Sequence, residues 1–524
     1  MTFRVATESG VVVGETDGGA RVWRGLPYAE PPVGAARWRR PTPVEPWAGV
    51  RDATRFGAVC TQHRLRAGGG VPATWPRSED CLTLNVWVPP SEADDLRPVL
   101  VWVHGGAFVA GSGMLPDFNG ARLAVEGDVV VVTLNYRLGT LGFLDLSSFG
   151  AGDERFDANV GLWDVIEALR WLRENAASFG GDPGRVTLAG ESAGASVVTT
   201  LVAAPAARGL FHRAVALSPA PAAVYSADRM ASYAQRLLRM VGAGLDDAAS
   251  WRRIPAEALV DAGTRLLDEV DARYTGTIAF APSVDGVLLP ESPVDAALGG
   301  RTAPVPLITG TMRNEALLFL RARPHILPVA PPRVDRVFEL LAEQRAARAT
   351  SGGAGRAGSD ERSDDDDAAL QADVLAAYPG YPEREAVLDF AADSTFRIPT
   401  IRFAEGHGQV APVWMYRCDF ATPAERMARL DATHGTEIPL VFDTLDAPVG
   451  RLTMLLGGRS AAQRLGARIR RHLVGLARDG APGFGWPRYA APDRTTLVLD
   501  RDVRIARDPG ARAREAWDAV DFLQ

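Results

Sequence analysis

Short apolar runs alternate with longer amphipathic or polar stretches along most of the chain. Within each run the apolar residues are continuous rather than spaced at every second position, which is typical of strands covered on both faces. The stretch 162–179 instead repeats large apolar residues at intervals of three and four, which indicates a helix. The predicted buried strands are 82–88, 99–104, 128–134, 185–189, 213–218, 305–310 and 413–418.

Alternation of buried strands with helices predicts an α/β fold, in which a large, mostly parallel, twisted sheet is flanked by helices. Residues 3–28 differ, because apolar and polar positions alternate there around Gly10 and Gly18. This pattern predicts a region of antiparallel hairpins at the N-terminal edge of the sheet.

Residues 350–367 lack large apolar side chains and end in four consecutive aspartates. Such a composition predicts a flexible acidic insertion on the surface. Predicted strands on both sides of it belong to the same sheet, and we find neither an internal repeat nor a linker. We therefore expect a single domain over residues 1–524.

Composition narrows the function classes. The net charge is −7 and all 57 basic residues are arginines, so no lysine can act as a base, and the acidic balance argues against a nucleic-acid partner. No run of 18 apolar residues predicts a membrane span, and the N-terminus has no signal-peptide pattern. We expect a cytoplasmic protein, with a secreted form as the alternative. Three cysteines without metal-ligand spacing indicate no metal site, and no cofactor is implied.

The pentapeptide Gly190-Glu191-Ser192-Ala193-Gly194 stands between a predicted strand and a predicted helix. A G-x-S-x-G in this context is the nucleophile-elbow pattern, in which a tight turn lifts the serine hydroxyl clear of the sheet. The helix N-terminus behind it favours developing negative charge. Ser192 is therefore the candidate nucleophile.

A serine nucleophile needs a histidine base and a carboxylate that orients it, in the chain order Ser, acid, His in such folds. His434 lies in a turn-rich loop after the strand 413–418, and Glu315 lies just past the strand 305–310, so both are placed at strand ends that face the site. The other histidines after Ser192 that are candidates for the base are His325, His407 and His472, with His472 on a polar helical face. The other acids are Asp285, which precedes the strand 305–310 and is typical of a turn aspartate, and Glu437, which follows His434 and so has the wrong chain order.

Backbone N–H groups at a glycine-permissive turn are needed to hold the oxyanion. Gly105 and Gly106 end the predicted strand 99–104, and Ala193 follows the nucleophile directly. These three residues are the candidate oxyanion hole.

Further motifs lie in order along nearly the whole chain: 24–32 (RGLPYAEPP), 78–86 (SEDCLTLNV), 135–139 (NYRLG), 179–183 (FGGDP) and 190–195 (GESAGA). With them the chain resembles the type-B carboxylesterase and cholinesterase-like family of α/β-hydrolases, the bacterial para-nitrobenzyl esterases most of all. The resemblance implies the α/β-hydrolase fold and a Ser192, Glu315 and His434 triad with the oxyanion hole above. It also implies that Cys60 and Cys81 pair in a disulfide, as in secreted relatives.

The sequence departs from the family pattern at Pro219, where relatives usually have glycine, although Ser218 can still support Glu315 by a hydrogen bond. Trp75 does not match the spacing of the choline-binding tryptophan, so cholinesterase activity is not expected. We expect the pocket walls to include Phe108, Trp75, Phe319 and Leu320.

The sequence therefore predicts a serine carboxylic-ester hydrolase that acts on a small-molecule ester through an acyl-enzyme, as a monomer or homodimer. An amidase, carbamate hydrolase or thioesterase would use the same triad and stays an alternative. A non-catalytic binding relative is the rival from another class; such proteins typically lack one of the triad residues, which this chain retains.

Overall fold

The protein's structure is a computed structural model that describes residues 2–63, 70–91, 95–150, 154–322, 326–350, 364–483 and 485–523. In these residues one sheet of thirteen strands runs through the molecule. The strands are β1 Phe3–Thr7, β2 Gly10–Asp17, β3 Ala20–Pro27, β4 Val50–Asp52, β5 Thr83–Val88, β6 Arg97–Val103, β7 Val130–Leu134, β8 Gly181–Glu191, β9 Arg213–Leu217, β10 Leu307–Met312, β11 Val413–Cys418, β12 Thr495–Leu499 and β13 Arg504–Arg507.

The strand order is β1-β2-β3-β5-β7-β6-β8-β9-β10-β11-β12-β13, with β4 paired to β2 outside this path. Pairs from β7 through β6, β8, β9, β10 and β11 to β12 are parallel, whereas β1, β2, β3 and β5 pair antiparallel at one edge. This is the α/β-hydrolase fold with its antiparallel N-terminal region, as predicted. Two short pairs lie apart from it, Val59–Cys60 with Arg77–Ser78 and Tyr225–Ser226 with Ser283–Val284.

Helices cover both faces of this sheet. Their bounds are α1 Ala121–Gly127, α2 Gly139–Gly142, α3 Val160–Asn175, α4 Ala193–Ala203, α5 Ala227–Met240, α6 Ala248–Trp251, α7 Ala256–Arg273, α8 Pro293–Leu298, α9 Ala316–Ala322, α10 Pro331–Thr350, α11 Asp364–Ala376, α12 Arg384–Ala392, α13 Ile398–His407, α14 Pro423–Met427, α15 Ile438–Phe442, α16 Pro448–Thr453, α17 Arg459–Asp479 and α18 Ala511–Ala516. A π-helical turn, Asp393–Arg397, joins α12 to α13. Throughout the described ranges, no helix has the length and apolar character needed to cross a membrane.

Strand β6 shows why the central strands read as continuous apolar runs. Val99, Val101 and Val103 point into the core on one face of the sheet. Leu100 and Trp102 point into the core on the other face. Because alternate side chains of a strand face opposite sides, a strand covered on both sides must be apolar at every position.

The structure differs from the prediction at the C-terminal end of the acidic insertion expected at 350–367. Asp364 to Asp367, expected in a loop, form the start of α11, and Thr350 is the last residue of α10. Residues 351–363 lie outside the described residues. Strands β12 and β13, which complete the far edge of the sheet, are not among the predicted strands.

A buried ion pair fixes the loop that leaves β7. Arg137 donates from Nε and Nη2 to the Asp164 carboxylate on α3, at 2.8 and 2.6 Å, and its backbone N–H donates to the same group at 3.0 Å. The two side chains are 2% and 0% exposed. Such a pair is costly to break, because the remaining charge stays buried without its partner.

Arg137→Met should therefore lower the free energy of unfolding by about 3–5 kcal/mol, measured from the urea midpoint. The double variant Arg137→Met with Asp164→Leu removes both charges and should lose less. A single variant that unfolds no earlier than the double variant would contradict this account.

Candidate active site

The turn between β8 and α4 carries Ser192 in a conformation that few side chains adopt, with φ 57° and ψ −125°. The surroundings hold it there: the Ser192 N–H donates to the Leu217 carbonyl on β9 at 2.9 Å, and the Ser192 carbonyl accepts from Ser196 N–H at 2.8 Å. Strained backbone of this kind persists only where neighbouring contacts determine it. Ser192 thus stands at the carboxyl end of the central strand, as predicted for an elbow.

Steric crowding explains why the pentapeptide has glycine at positions 190 and 194. A Cβ at Gly190 would lie 2.5 Å from the Gly194 carbonyl carbon, and a Cβ at Gly194 would lie 2.0 Å from the Val103 carbonyl oxygen. Both distances are far inside van der Waals contact. The elbow therefore closes only because neither position carries a side chain.

The loop after β6 lies against the elbow. A Cβ built at Gly105 would come within 3.0 Å of the Ser192 Cβ, which places this glycine beside the candidate nucleophile. Gly106 has φ +122°, and Ala107 and Phe108 also have positive φ values of 53° and 60°.

Several hydrogen bonds hold this loop in place. Tyr136 Oη donates to the His104 carbonyl at 3.0 Å. The Gln62 amide accepts from Gly111 N–H at 2.8 Å and donates to the Gly111 carbonyl at 3.0 Å. Gly139 N–H donates to the Phe108 carbonyl at 2.7 Å. These hydrogen bonds hold the loop on both sides of Gly105 and Gly106.

The structure brings the predicted acid and base together. His434 Nδ1 and Glu315 Oε2 are 2.6 Å apart, and Glu315 Oε1 accepts from Met312 N–H at 2.7 Å. The side chains are 5% and 1% exposed. With Nδ1 donating to the carboxylate, Nε2 is the ring nitrogen left to accept a proton.

Backbone hydrogen bonds join the two loops that carry this pair. Asn314 N–H donates to the Ala432 carbonyl at 2.9 Å. Leu318 N–H donates to Thr433 Oγ1 at 2.8 Å. The His434 ring also packs against Phe319 and Phe396, with ring centroids 5.1 and 4.8 Å away. The imidazole is therefore fixed in position by its neighbours.

His434 Nε2 faces a residue that the sequence did not single out for a role. It lies 3.3 Å from Glu191 Oε1, and it is buried without a hydrogen-bond partner. Among the described residues, the structure has no hydrogen bond between Ser192 Oγ and His434. A triad histidine bonds to both its acid and its serine; His434 meets this at Glu315 and not at Ser192.

Three buried glutamates surround this histidine and shift its proton affinity. Burial alone would lower the pKa of His434, but the Glu191 and Glu315 carboxylates outweigh that effect and raise the pKa to about 9. Burial raises the pKa of Glu191 to about 7, with His434 opposing the rise and Glu315 adding to it. Burial, together with Glu191 and Glu315, raises the pKa of Glu437 to about 8. The cluster therefore holds protons at neutral pH and favours the imidazolium.

Ser218 does not act as predicted. Its Oγ donates to Glu437 Oε1 at 3.4 Å, not to Glu315, and Tyr416 Oη approaches the same oxygen at 3.5 Å. Glu437, the alternative acid, therefore bonds to Ser218 and Tyr416 and not to the imidazole. Asp285, the other alternative, accepts from three backbone N–H groups of its own turn, at residues 287–289.

The alternative histidines have other partners. His407 is buried between Thr302 Oγ1 and the Val305 carbonyl, both at 2.8 Å. His472 was placed on a polar, solvated face of its helix, but it is buried and bonds to the Pro482 carbonyl at 2.6 Å. Its apolar neighbours on α17 and the Trp486 ring explain the difference. His325 lies outside the described residues.

The implied disulfide is not formed. Cys60 and Cys81 are free buried thiols, as is Cys418. The hydrogen bond between the Cys81 thiol and Cys60, together with burial, raises the pKa of Cys81 well above its ordinary value. The two thiols are therefore neighbours in the reduced state. Within the described ranges, no group of three or more His, Cys, Asp or Glu side chains could hold a metal ion.

A cavity opens beside the elbow, and Ser192, Ala193 and Ser196 form its floor. Phe108 and Phe319, both expected in the pocket, line it. Leu320 does not, and Trp75 packs instead in a separate apolar cluster, against Val59, Val71 and Met114.

A family model described as "Carboxylesterase family" matches residues 2–517. The chain belongs to this carboxylesterase family. The esterase is 34% identical over 515 residues to the para-nitrobenzyl esterase of Bacillus subtilis (strain 168), covering 98% of this chain and 97% of that one. It is 33% identical over 512 residues to the phenmedipham hydrolase of Pseudarthrobacter oxydans, covering 96% of each.

A solved structure titled "thermophylic PNB esterase" superimposes with a TM-score of 0.85 at 34% identity, covering 98% of this chain and 99% of that chain. A second structure, titled "PNB esterase", superimposes with a TM-score of 0.83. Together with the family match, these likenesses establish an ester-hydrolysing enzyme with the α/β-hydrolase fold.

Sequence reasoning missed three features of this esterase's site. Glu191 stands in the variable position of the quoted motif, but nothing in the motif shows that its carboxylate turns towards the imidazole. Phe396 lies in a π-helical turn, which has no reliable sequence signal. Gln62 carries no motif at all, and only the fold brings it to the loop after β6.

The elbow glycines offer a direct test. Gly194→Ala should lower the free energy of unfolding of the esterase by at least about 1–3 kcal/mol, because the new methyl group overlaps the Val103 carbonyl and forces the backbone to move. The measurement is a urea titration followed by fluorescence. Gly184→Ala, on an exposed part of β8, is the matched control and should change stability by less than about 0.5 kcal/mol. Equal stability of the two variants would contradict the steric account.

Proposed function

We propose that this esterase hydrolyses carboxylic esters of small molecules through an acyl-enzyme on Ser192, with His434 as the base and Glu315 as the group that orients it. The observation that carries the proposal is the 2.6 Å contact between His434 Nδ1 and Glu315, with Ser192 on the adjacent elbow at the floor of a cavity. We also propose that the chain acts as one domain, because strands near both of its ends join the same sheet.

In the first half of the reaction, Ser192 Oγ attacks the ester carbonyl carbon while its proton passes to His434 Nε2. The carbonyl oxygen gains negative charge, which the N–H groups of Gly105, Gly106 and Ala193 stabilise. His434 then protonates the alkoxide, which leaves as the alcohol. Glu315 stabilises the imidazolium and keeps its own charge throughout.

In the second half, a water molecule attacks the acyl carbon on Ser192 Oγ. His434 Nε2 takes the water proton and returns it to Ser192 Oγ as the carboxylic acid departs. To serve both halves, His434 Nε2 and Ser192 Oγ must come within hydrogen-bond distance of each other. Nε2 has no other hydrogen-bond partner that would compete with Ser192 for it.

Glu191 affects the protonation of the base. Its carboxylate stabilises the imidazolium, which is useful while that cation forms during attack. The same stabilisation keeps His434 protonated before attack, when a neutral base is required. The two effects predict that kcat/KM rises with pH towards the pKa of His434.

Ser192→Ala should reduce ester hydrolysis on the order of 10⁶-fold. Ser196, the other serine on the cavity floor, is not expected to replace the nucleophile, because its Oγ donates to the Ser192 carbonyl and accepts from Ala220 N–H. The assay is p-nitrophenol release from p-nitrophenyl acetate, with circular dichroism to show that the fold is kept. Ser232→Ala, on the exposed side of α5, is the control and should behave as the parent enzyme. Turnover by Ser192→Ala within tenfold of the parent would overturn the assignment.

Glu191→Gln should shift the acidic limb of the kcat/KM profile to lower pH, by about one unit or more. Above pH 7 Glu191 carries a charge that favours the imidazolium, and its removal lowers the pKa of His434 from about 9. Glu437→Gln should shift the limb in the same direction by less, since Glu437 is the weaker influence on His434. A limb that stays in place, or moves to higher pH, in Glu191→Gln would contradict this electrostatic account.

A further inference from the structure

The cavity above Ser192, here named the inner cavity, does not stand alone. A second cavity, here named the outer cavity, lies beside it and extends to Trp517 and Phe522 near the C-terminus. The two have part of their walls in common. The residues that line both are Ala220, Ala223, Tyr225, Gly276 and Thr395.

The common wall, here named the junction, consists mostly of small residues. A Cβ built at Gly276 meets no atom within 4 Å. Ala220 and Ala223 contribute only methyl groups, and the Tyr225 hydroxyl accepts a hydrogen bond from Ile278 N–H at 3.1 Å. Among the described residues, Tyr225 is the one large side chain that lines both cavities.

The position of His434 decides which half of an ester enters the inner cavity. The departing alkoxide must face His434 Nε2, because this nitrogen gives it a proton. Neither His434 nor Glu191 lines the inner cavity, whereas Ser192 and Ala193 do. Phe319 and Phe396, the rings that pack against His434, do line it. We assign the inner cavity to the acyl half, because this half stays bonded to Ser192 Oγ.

The inner cavity is the more apolar of the two. Ile278, Ile326 and Leu327 line it, whereas the outer cavity is lined by Val337 and Leu341 together with Ser394 and Asp521. A polar or charged acyl tail would lose its hydration in the inner cavity with few partners in return. Each methylene group that an apolar wall covers strengthens binding by up to about fourfold.

We infer that the esterase acts on esters of linear, medium-to-long acyl chains, whose ends pass the junction and lie in the outer cavity. The inference rests on the proposed acyl-enzyme at Ser192. Ala223 and Thr395 are specificity-determining residues in this account, because their side chains border the path between the cavities. A branched or aromatic acyl group would stop at the junction and use only the inner cavity.

The test compares kcat/KM for p-nitrophenyl acetate, butyrate, octanoate and decanoate, at concentrations below micelle formation. The parent enzyme should favour octanoate and decanoate over acetate by at least tenfold. Ala223→Phe fills the junction and should lower the decanoate-to-acetate ratio by at least tenfold. Leu341→Trp fills the outer cavity and should lower the decanoate-to-butyrate ratio while the butyrate-to-acetate ratio keeps its parent value.

Ala249→Phe, on the exposed side of α6, places the same ring away from both cavities and should keep the parent ratios. Thr395→Leu is a second junction variant, and its decanoate-to-acetate ratio is used if Ala223→Phe unfolds early in a thermal melt. A parent profile that is flat or falls with chain length overturns the inference. So do junction variants that keep the parent ratio.

Failure of this inference is distinct from failure of the proposed function. If the parent hydrolyses acetate and Ser192→Ala does not, the acyl-enzyme stands whatever the chain-length profile is. If Ser192→Ala hydrolyses acetate as fast as the parent, the acyl-enzyme fails, and the inference built on it fails as well.

Discussion

The site depends on one steric constraint, the contact between the elbow after β8 and the end of β6. Gly190 and Gly194 lie so close together, and Gly194 so close to the Val103 carbonyl, that no side chain fits at either position. That closeness sets the strained conformation of Ser192 and brings Gly105 beside it. Because β6 and β8 are adjacent parallel strands at the centre of the sheet, Ser192 and the loop after β6 emerge at the same end.

Electrostatics provide the second constraint. Glu315, Glu191 and Glu437 lie around one imidazole in a buried region, and they raise its pKa far above that of a solvated histidine. Glu315 makes the 2.6 Å contact with the ring, and after burial Glu191 has the largest effect on the pKa of His434. In the proposed mechanism Glu315 therefore orients the base, and Glu191 mainly adjusts its charge.

Much of the fold was predictable, because a strand covered on both faces leaves a continuous apolar run, as β6 does. Strands β12 and β13 escaped prediction. Strand β13 lies at the sheet edge and is mostly exposed, so it leaves no apolar run, whereas β12 is mostly buried. The acidic run at 364–367 looked like a loop by composition, yet it starts a helix, consistent with acidic side chains being favourable near a helix N-terminus.

At the site, the elbow motif, the chain order and the positions just after predicted strands selected Ser192, Glu315 and His434 as candidates, and the last two meet. Side-chain direction carries no such signal. Packing between distant segments sets these directions. It turns Glu191 towards the imidazole, Ser218 towards Glu437, and Trp75 away from the cavity. The junction between the two cavities depends on Gly276 and Thr395, which are far apart in sequence.

The central claim is that Ser192 becomes acylated, and an irreversible phosphonate tests it most directly. A p-nitrophenyl alkylphosphonate should release one p-nitrophenolate for each enzyme molecule as a bond forms between Ser192 Oγ and phosphorus. Peptide mapping by mass spectrometry should then find the adduct on the peptide that contains Ser192, with loss of esterase activity in proportion. An adduct on another residue, or full inactivation without an adduct on Ser192, would contradict the account.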